Sequence, residues 1–220
     1  MTASSLSTMK FNPSVIGILR GIDSNFFGEL MQASFNEGLH ALEVTINTPG
    51  AQRIVAAYRH LVPEGRFLGM GTVRTVEEAR MAHDAGAMFF VTPNLDTQVI
   101  EFAVKHEIPI VVGGLTPTEV YTAWQAGADM VKVFPCSAMG GPRYIRQLLG
   151  PFDDLKLAAV GGVNSENLAD YFAAGAAAVG VSSALFGQRA LAEKNLSLLT
   201  DNVKNFMEKC YSFTKTMTKT

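Results

Sequence analysis

Short apolar runs rich in Val, Ile, Leu and Phe alternate along the whole chain with longer stretches of helical period. The runs predict strands at 14–19, 40–46, 67–70, 88–91, 109–112, 129–133, 156–160 and 177–181. Between them the pattern predicts helices near 24–37, 50–61, 76–85, 96–106, 117–126, 141–149, 165–174 and 190–210. Ser24, Asp96, Thr116 ahead of Pro117, and Asn164 read as caps for the orphan amides at helix starts. One join recurs in EGLHALEV, AGAMFFV, AGADMVKV and AGAAAVGV, where Gly38, Gly86, Gly127 and Gly175 are expected to stop a helix in the left-handed conformation and turn the chain back into a strand.

Alternating units with strands apolar on both faces mean a parallel α/β sheet, either closed into a barrel or open and doubly wound. The first strand ends in ILRGI, without the GxGxxG turn of a dinucleotide-binding sheet. Eight units in 220 residues favour a compact single-domain (β/α)8 TIM barrel. Its expected extent is 13–210, between a flexible N-terminal segment at 1–12 and a flexible tail at 211–220.

A chain this long buries roughly 70% or more of its unfolded surface, so 48% hydrophobic residues are ample for one core. The 18 basic and 20 acidic residues are dispersed and sum to −2, which leaves no electrostatic footprint for nucleic acid or an anionic membrane. A small anionic ligand needs only one or two basic groups and stays open. Cys136 and Cys210 fit no metal-ligand spacing and point to a reducing, cytoplasmic setting. His40, His60, His83 and His106 likewise lack a partner spacing, so no metal is expected.

Chemistry in such barrels gathers at the C-terminal ends of the strands. Lys132, in VKVFP, sits on a strand apolar on both sides and points either into the barrel or out at the helices. Desolvation lowers a lysine's pKa and makes an amine able to attack a carbonyl. Glu43, in ALEVTIN, is a second charge too costly to bury without a purpose; if it points inward, Thr45 and Asn47 share its face. The pair can divide the work of imine chemistry, or can be a structural ion pair.

Gly161 and Gly162 stand between a strand and a helix, where bare amides can approach a phosphate, and Ser182 and Ser183 repeat the arrangement one unit later. Phosphate sites recur after strands seven and eight of this architecture. Arg20, closing the first strand, suits a carboxylate or phosphate, or pairs with a rim acid; Thr72 suits a carboxylate, or caps the next turn.

Taken in order, LEVTINTPGA, GMGTV, VTPN, LTPTEV, VKVFPCSAMGGPRYIRQLLGPF, AVGGVNSENL and AVGVSSALF resemble the 2-keto-3-deoxy-6-phosphogluconate (KDPG) and 4-hydroxy-2-oxoglutarate (KHG) aldolase family over about 13–188. The resemblance implies a class I, Schiff-base aldolase without metal or cofactor, usually a homotrimer, that cleaves a 2-keto-3-deoxy sugar acid to pyruvate and an aldehyde. Lys132 would carry the Schiff base and Glu43 the acid/base role; Thr72 and Pro93 would line the pyruvate pocket, and Gly161, Gly162 and Ser183 would hold a phosphate. Asn47 stands where phosphogluconate enzymes often carry arginine, and Val160 where they typically carry threonine. With Arg20, these look more like the phosphogalactonate branch. Gly113 and Ser182 are further departures, in place of a proline and a glycine. The competing expectations are a phosphate-binding barrel that holds a sugar phosphate without lyase activity, and an isomerase or synthase on the same scaffold.

Overall fold

The computed structural model describes residues 14–217. Eight strands run in order round a closed barrel: β1 (Ser14–Leu19), β2 (Ala41–Thr45), β3 (Phe67–Gly71), β4 (Phe90–Val91), β5 (Ile110–Gly114), β6 (Met130–Val133), β7 (Leu157–Val160) and β8 (Ala178–Val181). Every neighbouring pair is parallel, and β1 closes on β8 from Ser14↔Ala178 to Gly17↔Val181. The predicted flexible segment at 1–12 lies outside the described residues.

Helices follow each strand: α1 (Ser24–Asn36), α2 (Ala51–Tyr58), α3 (Val76–Asp84), α4 (Thr97–Lys105), α5 (Pro117–Gln125), α6 (Pro142–Leu149) and α7 (Leu168–Ala173). After β8 come α8 (Ser183–Phe186), α9 (Gln188–Ala192) and α10 (Leu196–Met217). Gly38, Gly86, Gly127 and Gly175 take φ of +93°, +82°, +102° and +100°, as the repeated join requires. Asp96 caps α4 through the amides of Gln98 and Val99, and Thr116 closes a capping box with Glu119 on α5. No helix among the described residues is long and apolar enough to cross a membrane.

Two local expectations are corrected. Asp23, not Ser24, caps α1, because its carboxylate accepts from the Asn25 amide. The stretch expected as one helix at 190–210 is two, broken at Lys194, which takes φ +51° and reaches the Asp23 carboxylate at 2.7 Å. The last helix runs on to Met217. Buried Cys210 and the Tyr211 hydroxyl, which donates to the Gly38 carbonyl at 2.8 Å, fasten that end to the barrel.

Alternation along the strands divides the apolar residues between two cores. Outward residues such as Leu42, Val44, Met70, Phe90, Val131 and Val179 pack under the helices. Inward, Ile16, Ala41, Phe89, Val91, Val111, Met130, Ala158 and Ala178 plug the barrel. Nearer the C-terminal rim the inward positions change character: Gly71, Gly113 and Gly180 carry no side chain, and Glu43 and Lys132 face the interior.

Candidate active site

A cavity of about 290 Å³ opens at the C-terminal end of the barrel. Arg20, Glu43, Thr72, Pro93, Lys132, Gly161, Gly162 and Ser183 all line it. Asn47, also expected in the site, does not; it is exposed beside the cavity, where its amide oxygen accepts from Arg20 Nη1 at 3.4 Å.

Lys132 points inward from β6, between Gly113 on β5 and Ala158 on β7, and is 6% exposed. Glu43 rises from β2 opposite Ile18 and Gly69 and is 1% exposed. Burial pushes the Lys132 amine below the usual lysine range; the Glu43 charge opposes that and the Arg20 charge adds to it. Burial pushes the Glu43 carboxyl up, against the attraction of Lys132 and then Arg20. Both groups are therefore drawn toward their neutral forms. Glu43 Oε2 is fully buried and has no hydrogen-bond partner. A structural ion pair would satisfy that oxygen, and no contact within 4.0 Å joins the two among the described residues. An amine and an acid held apart under one opening are equipped to act on something placed between them.

Thr72 sits at the end of β3 with φ +60°, a costly conformation for a β-branched residue. Its alternative role as a helix cap is filled by Thr75, whose hydroxyl accepts from the Glu78 amide. Arg20 makes no ion pair among the described residues. Gly161 and Gly162 take φ of +93° and +82°. Their carbonyls are tied away from the cavity, the first by the Ser137 amide at 3.2 Å and the second by Asn167 Nδ2 at 2.8 Å. A Cβ at 162 would lie 2.3 Å from the Ser137 Cβ, so this turn needs glycine for space as well as for φ.

Sequence reasoning missed Ile18 and Phe134 as lining residues and left Ser182 as a neighbour. The Phe134 ring centre lies 5.1 Å from Lys132 Nζ. The signal was present, since 134 is two residues past 132, and 182 two past Gly180, on the same inward face.

A closed barrel with such a pair under its rim is the equipment of an enzyme that works at a carbonyl carbon. A family model described as KDPG and KHG aldolase matches residues 7–201. The 2-dehydro-3-deoxy-6-phosphogalactonate aldolase of Escherichia coli (strain K12) is 34% identical over 195 residues, 88% of this chain and 95% of that one. A solved native KDPGal structure superposes with a TM-score of 0.84 at 32% identity, covering 91% of this chain and 96% of the other. The KDPG aldolase of Legionella pneumophila, with pyruvate captured at low pH as a covalent carbinolamine intermediate, gives 0.81 at 29%, over 89% and 94%. The chain belongs to the KDPG and KHG aldolase family and is an aldehyde-lyase.

Proposed function

We propose that this aldolase cleaves a 2-keto-3-deoxy-6-phospho sugar acid through a Schiff base on Lys132. The observation that carries the reading is the buried, unpaired Glu43 oxygen sharing one cavity with a desolvated amine. Lys132 Nζ adds to the C2 carbonyl, giving a carbinolamine that loses water to a protonated imine. Glu43 takes the proton from the C4 hydroxyl, the C3–C4 electron pair moves into the imine, and the aldehyde departs as glyceraldehyde 3-phosphate. The remaining enamine is protonated at C3, and water frees pyruvate and the amine.

Thr72 and Pro93 line the keto-acid end, and Arg20, steadied by Asn47, supplies the cation nearest the substrate's charges. Gly161, Gly162 and Ser183, after β7 and β8, offer amides to the phosphate. Val160 lines the cavity without a hydroxyl to read C4, which favours the phosphogalactonate epimer, in keeping with the near full-length match to a phosphogalactonate aldolase. A cytoplasmic homotrimer, as the family resemblance implies, completes the proposal; sedimentation at the mass of one 23.7 kDa chain would refute the trimer.

Borohydride reduction in the presence of pyruvate tests the chemistry: the expected adduct falls on the peptide containing Lys132, and unmodified protein overturns the assignment. Lys132→Ala is expected to cut turnover by roughly 10⁴-fold without lowering stability, because it removes a desolvated amine. Pyruvate release compared across the phosphogalactonate epimer, the phosphogluconate epimer and 4-hydroxy-2-oxoglutarate sets the preference, and faster release from the second would reverse the epimer.

A further inference from the structure

The inward positions of β3 are Phe67, Gly69 and Gly71. Neither glycine takes the left-handed conformation, so the backbone does not ask for them. What they provide is space. A Cβ at 69 would lie 2.5 Å from the Phe89 ring, part of the apolar plug. A Cβ at 71 would lie 2.5 Å from both Cδ and Oε1 of Glu43 and 2.9 Å from Oε2. Glu43 pairs in register with Gly69, one inward step below Gly71, so its side chain leans along the sheet until the carboxylate lies over the bare backbone at 71. That backbone is fixed, because the Gly71 carbonyl accepts from the Ile46 amide at 2.8 Å.

We infer that Gly71 is a positioning residue whose missing side chain is the notch that holds the Glu43 carboxylate at its working depth in the barrel. The inference rests on the acid/base role proposed for Glu43. Alanine at 71 suits this strand backbone, so its effect falls on the carboxylate, the flexible end of a side chain with no other bond to hold Oε2. A displacement of about 1 Å can cost 10²-fold when the moved group transfers a proton.

The test compares Gly71→Ala, Gly71→Ala/Glu43→Asp and Gly71→Ala/Glu43→Ala with their single-site parents. Gly71→Ala is expected to keep borohydride trapping of pyruvate at Lys132, to lower kcat and the exchange of pyruvate methyl protons with D2O by roughly 10²-fold, and to change KM by much less. In the Glu43→Asp background, where the carboxylate is one methylene shorter, the same substitution should cost at least tenfold less. If Gly71→Ala melts early, the loss of melting temperature should vanish in the Glu43→Ala background, where nothing occupies the notch. Full kcat in Gly71→Ala overturns the inference. So does an equal penalty in all backgrounds, or loss of trapping in the Gly71 variant alone. Loss of trapping in the unaltered enzyme removes the Lys132 reading instead, which separates the two failures.

Discussion

The lower and upper halves of the barrel interior are built by the same eight strands with the same alternation, yet they are packed by opposite rules. Below, Phe89, Ile16, Val111 and Met130 interdigitate into a dry plug. Above, Gly71, Gly113 and Gly180 carry no side chain, Glu43, the Pro93 backbone and Val160 close over them, and one amine and one acid face an opening. The plug is built from apolar side chains alone; the cavity holds a buried carboxylate oxygen without a partner and, at its edge, a threonine at φ +60°. Stability resides in the half that carries no chemistry, and the half that carries it costs stability, as expected of a site preorganised for a substrate.

Breaking the plug should produce the largest effect, and it should be one of stability. Phe89→Ala removes a ring that fills the Gly69 notch, and a buried Phe→Ala change costs about 3–5 kcal/mol. Chemical denaturation is expected to show that loss, while kcat/KM measured well below the new melting temperature stays within roughly tenfold of the parent. A catalytic loss larger than the stability loss would mean that the two halves are mechanically coupled.

Glu43→Gln sharpens the comparison from above. Trapping of pyruvate is expected to persist while cleavage slows by about 10²–10³-fold, the range of a lost general base; full activity would remove Glu43 from the mechanism. The stability effect has a sign set by burial. Burial holds the folded carboxyl above its ordinary 4.5, so above pH 4.5 the folded chain binds more protons at this site than the unfolded one. Stability is therefore lost as pH rises from 4.5 through the folded value, and glutamine abolishes that loss. Lys132 works in the opposite sense: burial holds it below 10.5, so its cost is present at lower pH and fades as pH rises toward 10.5. Denaturant midpoints for parent and variant should diverge above pH 4.5, and parallel curves would contradict the direction given for Glu43.

How far the two halves are legible in sequence follows the same division. Each strand and the glycine joins could be read because alternation and left-handed glycines are local signals, as at Gly38 and Gly175. Lys132 and Glu43 stood out because charge inside an apolar run is anomalous. The joint between α9 and α10 was hidden because it depends on Lys194 reaching Asp23 across the chain, and the length of α10 because it depends on Tyr211 meeting Gly38. The notch at Gly71 was hidden for a similar reason: a glycine in a strand says that something approaches, but not that the visitor is a carboxylate from the neighbouring strand.

Thr72 gives the smallest effect and the most direct one, since it sets strain against binding at a single residue. A β-branched residue at φ +60° stores about 1–3 kcal/mol, and glycine releases it while giving back about 0.5–1 kcal/mol through the unfolded chain. Thr72→Gly should therefore raise stability by roughly 1 kcal/mol, a rise of about 2–4 °C in melting temperature for a chain of this size. Thr72 lines the cavity, and if its hydroxyl binds the keto acid as proposed, the lost hydrogen bond to a charged group contributes about 1.5–3 kcal/mol, so kcat/KM should fall by about 10–100-fold. Thr72→Ser keeps the hydroxyl and loses the branch, and should retain most of the activity with part of the added stability. If Thr72→Gly proves both less stable and fully active, the strain at the rim is structural and the division between an apolar plug and a strained site fails at this residue.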